Sequence, residues 1–292
     1  MGVGRSYLKY VTALIVFGMN GIVASRIALD SSEIVLLRTV LGSLLLIAAF
    51  FLTRRKVRLF EDRRALLWLL ISGIAMGASW MFLYEAYQRL GVGIASLAYY
   101  CGPVIVMALS PLLFHEELTG SHKAGFLAVL LGMVLVNGRA ALSGTMDVWG
   151  VSCGIMSAVL YAFMVIFNKK ARLSSGLENA MWQLLFASLT VGIFVGVKQG
   201  LVIPVKSGDW PAILVLGIIN TGLGCYFYFS SIGNLPVRTV AICGYLEPLS
   251  AVLFSMVFLG ERMTALQILG ASLILGGAAF AELSGARPKK GR

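Results

Sequence analysis

The sequence predicts an all-α integral membrane protein of ten transmembrane helices, arranged as two five-helix repeats of opposite orientation. Three observations carry that prediction. Of 292 residues, 59% are hydrophobic and only 13% charged, against roughly 25% charged in a soluble domain, so there is too little polar surface to cover a globule in water. The apolar residues fall in continuous blocks of about 20, the length a helix needs to cross some 30 Å of hydrocarbon, and not in the alternation of a barrel strand. The chain also matches itself at a constant offset of 145 positions, pairing for example Pro103 with Pro248.

Each block is read as a helix because a helix satisfies its backbone N–H and C=O groups internally. The first five spans are Tyr7–Ala28, Ser31–Thr53, Arg64–Leu90, Gly93–Phe114 and Gly120–Gly138. The second five are Asp147–Lys170, Leu177–Gln199, Gly208–Ile232, Pro236–Leu259 and Thr264–Leu283. Arg5 and Lys9 before an apolar stretch resemble the start of a signal peptide, but the stretch runs to about Ala28 and reads as an uncleaved first helix. The link Arg139–Met146 divides residues 1–140 from residues 141–292.

The net charge of +11 does not point to nucleic acid, because the basic residues sit at the ends of apolar blocks rather than on one soluble face. One set of alternating loops and termini carries most of them, including Arg54, Lys56, Arg58, Arg63, Arg64, Lys169, Lys170, Arg172, Arg287, Lys289, Lys290 and Arg292. The opposite set carries Arg26, Arg89, Arg139, Lys198, Lys206 and Arg262. That bias places both termini in the cytoplasm and requires an even number of spans.

At the same offset Glu33 meets Glu178, Gly77 meets Gly222, Tyr100 meets Tyr245, Glu116 meets Glu261, Gly125 meets Gly270 and Gly132 meets Gly277. A unit of five spans is odd, so its second copy enters the bilayer the other way up. That is the inverted-repeat design of many secondary transporters, whose substrate sits near the midplane between the halves.

The stretch Phe258-Leu259-Gly260-Glu261-Arg262-Met263-Thr264, followed by Gln267 and Gly270, recurs less perfectly as His115-Glu116-Glu117-Leu118-Thr119 and Gly125. Together with Gly102-Pro103 and Glu247-Pro248, it resembles the paired EamA domains of the drug/metabolite transporter superfamily. The resemblance covers essentially the whole chain. Within the superfamily, Tyr99-Tyr100-Cys101-Gly102-Pro103 looks most like the exporters of aromatic amino acids. The resemblance implies a ten-helix exporter of amino acids or similar metabolites in a bacterial inner membrane. It further implies a central cavity walled by helices 1, 3, 4, 6, 8 and 9, a small-molecule substrate, surrounding lipid and no cofactor.

Several intramembrane residues are candidates for that work. Pro103 and Pro248 recur at one repeat position near mid-span; each frees a carbonyl one turn earlier and serves either as a hinge or as a packing kink. Trp80 and Tyr84 share a helix face, and Tyr99, Tyr100, Tyr161 and Tyr245 add further rings at depth. Such a wall suits an aromatic or aliphatic ligand with a few selective hydrogen bonds, although aromatics also form belts and ordinary packing. Glu247 is the sharpest candidate, as an intramembrane carboxyl that could hold an ammonium or carry a proton. Asn20 is a polar group expected to face the interior, either toward a ligand or as an interhelical bond. Arg38 and Glu85, at similar depth, are expected to pair.

Other classes fit less well. There is no GxxxxGK[ST] sequence for a nucleotide-driven pump. An intramembrane enzyme needs a nucleophile, a base or metal ligands, yet the two histidines, His115 and His122, share one loop, and Thr119 stands where a zinc HExxH motif needs its second histidine. No metal site is expected. A carrier of nucleotide sugars or phospholipids would want several buried Lys or Arg, and the spans offer only Arg38 and residues near their ends. The four cysteines, Cys101, Cys153, Cys225 and Cys243, lie inside apolar blocks without CxxC spacing and read as small apolar filler.

Overall fold

The computed structural model describes residues 3–54, 56–99, 101, 102, 105, 120–142, 146–171, 176–232, 244 and 246–285. Among these the chain is helical, without strands. Six stretches are long and apolar enough to cross a membrane: Gly4–Ala24, Ser31–Leu52, Arg63–Leu90, Val148–Asn168, Gly176–Gln199 and Ser207–Ser231. Shorter apolar helices at Lys123–Val136, Leu246–Phe258 and Ala265–Gly277, and the helix Val92–Tyr99, stand where the other four spans are expected. Much of the fourth and ninth expected spans, and the first copy of the repeat signature at His115–Thr119, lie outside the described residues.

The first expected span is two helices, α1 (Val3–Gly18) and α2 (Asn20–Ala24), parted at Met19. Helix α3 (Ser31–Leu52) opens with the Asp30 N–H donating to Glu33 Oε2 at 3.0 Å, half of a capping box. Helix α4 (Arg63–Leu90) opens with the Arg64 N–H on Asp62 Oδ1 at 2.8 Å and stops at Gly91, whose φ of +81° excludes most side chains. Helix α5 (Val92–Tyr99) follows at once. Its first N–H groups, Val92 and Gly93, donate to the two carboxylate oxygens of Glu261 at 2.7 and 2.9 Å. The signature glutamate is thus the N-terminal cap of a helix far away in sequence, satisfying donors that a helix start leaves unpaired.

Helix α6 spans Gly120–Leu142, α7 spans Val148–Ala171 and α8 spans Gly176–Gln199. Asp147 starts α7: the Gly150 N–H, and after it Arg89, hold its carboxyl below the usual range. The eighth expected span changes its winding midway. Helix α9 (Trp210–Leu214) runs into a π-wound stretch, Val215–Leu223, and then into α10 (Gly224–Ile232). Helices α11 (Leu246–Phe258) and α12 (Ala265–Gly285) complete the chain.

Helix α4 packs along α7, α6 along α12, α3 along α8, and α1 against α10 and α11. Serines tie the first pair across the interface: Ser72 Oγ donates to the Met164 carbonyl at 2.7 Å, and Ser79 Oγ to the Ser157 carbonyl at 2.8 Å. The outer faces of α6, α8 and α11 expose Val134, Ile193, Val197 and Val257, as hydrocarbon allows and water does not. Gly73 and Gly77 give α4 close contact with α8, whereas a β-carbon at Gly192 or Gly196 would make only ordinary contacts, with Leu36 at 3.6 Å and Leu201 at 3.5 Å.

Two helix pairs carry contacts that recur with their partners exchanged. A β-carbon at Gly132 would fall 2.5 Å from the Gly270 carbonyl oxygen, and one at Gly277 3.1 Å from that of Gly125. Gly270 and Gly277 are the repeat equivalents of Gly125 and Gly132, so α6 and α12 cross antiparallel with equivalent residues swapped. Likewise Glu33, at the start of α3, accepts from Gln199 at the end of α8, 2.7 Å away. Its repeat equivalent Glu178, at the start of α8, accepts from the Arg58 and Leu59 N–H groups just beyond α3, at 2.7 and 2.9 Å.

The glycine crossing predicts that Gly270→Leu forces α6 and α12 apart. We expect a loss of about 1–3 kcal/mol, read as a lowered thermal midpoint of the purified protein in detergent, whereas Gly200→Leu, where no neighbouring atom lies within 4 Å, tests only the positive-φ turn.

Candidate functional site

Six helical segments converge on one cavity of about 60 Å³, room for a few water-sized groups as it stands. Asn20 from α2, Trp80 from α4, Tyr99 from α5, Tyr161 from α7, Tyr228 from α10 and Glu247 from α11 line it. These segments occupy the spans that the family resemblance implies for the wall. The walls are mostly ring faces: Tyr99 meets Tyr161 edge-on with centroids 5.1 Å apart, and Tyr228 lies 5.6 Å from Tyr10 and 5.8 Å from Phe17. Gly102 makes room for this, since a β-carbon there would fall 2.5 Å from Tyr161 Cδ1.

The polar side of the cavity is built on irregular backbone. Parting at Met19 removes regular hydrogen bonding from the middle of the first span, and Asn220, in the π-wound stretch, answers it. Its Nδ2 donates to the Val16 carbonyl at 2.9 Å and to Asn20 Oδ1 at 3.1 Å. π turns often mark functional sites. Thr221 Oγ1 bonds the Leu216 carbonyl at 2.7 Å, five residues back, which fits the wider winding. Glu247 sits beside buried Pro248 in α11, and its carbonyl accepts from Ser250 Oγ at 2.8 Å.

The structure therefore gathers Asn20, Trp80, Tyr99, Tyr161 and Glu247 around one space. Tyr84 stands behind it: the ring is buried, and its hydroxyl accepts from Arg38 Nη1. Tyr100, Tyr245 and Pro103 lie outside the described residues. The expected pairing of Arg38 with Glu85 does not occur. Glu85 bonds Arg89 Nε and Ser31 Oγ, at 2.7 and 2.8 Å, one turn nearer the helix end where water is available. Arg38 turns inward, with Nε on Thr221 Oγ1 at 2.8 Å and its guanidinium 4.4 Å from the centre of the Trp80 ring.

Further lining residues went unnamed from sequence: Phe17, Met76, Met164, Cys225 and Phe229. A signal was present. Phe17 lies three residues before Asn20, Met76 four before Trp80 and Met164 three after Tyr161, the spacing of one helix face. Met and Phe in such a chain are common packing residues, so spacing alone does not single them out. Three cysteines, Cys101, Cys153 and Cys225, are free thiols, and Cys243 lies outside the described residues.

Chemically, a carboxyl and an amide set among aromatic faces suit a compact ligand carrying an ammonium, which gains both charge pairing and cation–π attraction. Among the described residues no cluster of three His, Cys, Asp or Glu could hold a metal ion.

The model of the EamA-like transporter family matches residues 5–138 and 148–282. An uncharacterized transporter of Bacillus subtilis (strain 168), YxxF, is 25% identical over 280 residues, covering 94% of this chain and 88% of that protein. The threonine/homoserine exporter RhtA of Escherichia coli (strain K12) is 27% identical over 247 residues, covering 82% of this chain and 77% of that protein. One crystal structure superposes with a TM-score of 0.69 at 21% identity, over 97% of this chain and 99% of that one, a likeness of fold.

The Asn220 bonds predict that Asn220→Leu costs about 1 kcal/mol, as interhelical hydrogen bonds in membranes do, and that Asn20→Leu adds less in the double variant than alone. Thermal unfolding of the four proteins of this cycle measures the coupling, and strict additivity contradicts it.

Proposed function

Because the chain belongs to the EamA-like transporter family, we propose that it is a secondary exporter of amino acids, aromatic and other neutral ones among them. It is a multi-pass membrane transporter. In our reading, residues 1–140 and 141–292 are two inverted five-helix halves that rock about their antiparallel contacts, opening the cavity to each side of a bacterial inner membrane in turn. Both termini lie in the cytoplasm. The exchanged contacts at Gly125, Gly132, Gly270 and Gly277 support that arrangement, and the exporter relative supports the direction.

One observation carries the choice of ligand: Glu247 stands in a cavity whose wall includes Tyr99, Tyr161, Tyr228, Trp80 and Asn20. Its carboxyl receives the substrate ammonium while a ring stacks on the substrate side chain, and Asn20 offers an amide to a polar one. The wall is mostly apolar, so the charge pairing is stronger than at a surface. With a mid-membrane carboxyl, the same group is placed to exchange a proton for substrate. Pro248 beside it, and Pro103 in the other half, are the hinges of the rocking. The scarcity of polar groups in the wall favours one second reading, export of other small metabolites or drugs that carry an amine.

Glu247→Gln is expected to leave a monodisperse, folded protein and to lower amino acid counterflow in proteoliposomes about tenfold, equivalent to about 1.4 kcal/mol, with a flattened pH profile. Wild-type rates and an unchanged pH profile overturn the role of Glu247. A panel of labelled threonine, homoserine, phenylalanine and tryptophan, none of which moves in wild-type vesicles, overturns the amino acid reading.

A further inference from the structure

Arg38 is a charge that the cavity as described leaves unused. It is 1% exposed, deep in α3. Its Nε is held by Thr221 Oγ1 at 2.8 Å, its Nη1 by the Tyr84 hydroxyl, and its guanidinium lies 4.4 Å from the centre of the Trp80 ring and 4.9 Å from that of Tyr84. Among the described residues Nη2 has no hydrogen-bond partner, and the ion pairs found are those of Arg89 with Glu85 and Asp147, none with Arg38. A guanidinium does not deprotonate in proteins. A buried cation that lacks a counter-ion and keeps an unsatisfied donor is costly, and charges inside membrane helices mark substrate paths.

The repeat supplies an internal control. The position equivalent to Arg38 is Gln183, and that equivalent to Thr221 is Met76. Gln183 Nε2 donates to Ser72 Oγ at 2.9 Å and lies 3.7 Å from Met76 Sδ, so the same helix contact is made there without a cation. The fold does not need the charge at this place. Trp80 connects it to the site, because that ring both covers the guanidinium and lines the cavity. Arg38 is therefore one indole away from the substrate space.

Resting on the amino acid reading above, we propose that Arg38 is the carboxylate-binding residue of the transport site. The substrate is recognised as a zwitterion: its ammonium at Glu247, and its carboxylate at Arg38 Nη2 once the Trp80 indole swings off the guanidinium. A carboxylate supplies both the missing counter-ion and the missing acceptor, and Arg matches it in geometry better than any other side chain. Trp80 then acts as a cover that only a ligand bearing an anionic group displaces, which separates amino acids from simple amines.

The test uses proteoliposomes carrying labelled phenylalanine or threonine, with phenethylamine, 1-aminopropan-2-ol and phenylalanine methyl ester as competitors that lack the carboxylate. In the wild type, these three should compete at least tenfold more weakly than the amino acids. In Arg38→Gln with Thr221→Met, which installs the pair that the other half already carries, KM for the amino acids should rise at least tenfold while competition by the amines changes less than twofold. Equal competition in the wild type, an unchanged KM in the variant, or equal weakening of amino acids and amines overturns the assignment. The wild-type comparison can overturn the assignment even if the variant does not fold. Vesicles that carry none of threonine, homoserine, phenylalanine and tryptophan reject the amino acid reading and this assignment together, whereas intact transport without carboxylate preference rejects this assignment alone.

Discussion

At the crossing of α6 and α12 there is no room for a β-carbon. Gly132 lies on the Gly270 carbonyl and Gly277 on that of Gly125, and the two contacts are one contact made twice with its members exchanged. Such an exchange is what a two-fold relation between the repeats would produce. In a bilayer there is no hydrophobic drive between helices, and close approach through small residues does much of the holding. The same relation places the Glu33 and Glu178 contacts, and it sets Arg38 on Thr221 where the equivalent Gln183 lies on Ser72 and Met76. A cavity between two such halves has two nearly equivalent ways of closing, one at each end, which is the physical basis for reading this chain as an alternating-access carrier.

The frame is duplicated and the cavity is not. Trp80 corresponds to Cys225, Tyr99 to Gly244, and Glu247 to Gly102. Where Gly102 leaves space, Tyr161 fills it; at the equivalent of Tyr161 the chain has Val16, and at the equivalent of Gly102 it has the Glu247 carboxyl. The two positions thus carry a glycine facing a ring in one half, and an acid and a valine in the other. In the transport reading proposed above, shared positions serve the motion and unshared ones choose the substrate. Arg38 is also unshared, since its counterpart Gln183 makes the same packing contact without charge.

Much of this was legible in the sequence because a membrane imposes strict rules. Continuous apolar blocks mark the helices, and a repeat of Glu, Pro and Tyr at one offset is informative where Leu is not. Mid-span polar and aromatic residues found five of the cavity's lining residues, Asn20, Trp80, Tyr99, Tyr161 and Glu247. The rest depended on geometry that a linear reading lacks. The break at Met19 has no proline to announce it, and the π-wound stretch Val215–Leu223 looks like any apolar helix. Depth alone suggested that Arg38 and Glu85 pair, but their directions differ: Glu85 faces Arg89 and Ser31 near the helix end, and Arg38 faces inward beneath Trp80. Tyr84 shares a face with Trp80, yet one turn moves its hydroxyl from the cavity to Arg38. The role of Glu261 as a cap on α5 was visible only as a recurring letter.

The most direct test of the carrier reading uses Cys225, a native thiol in the cavity wall. With the other three cysteines replaced by serine or alanine, a membrane-impermeant thiol reagent is applied to right-side-out and inside-out vesicles. The account predicts that Cys225 is labelled from both sides, and that a transported amino acid slows labelling from each. Labelling from one side only, or at a rate that no amino acid affects, would contradict it.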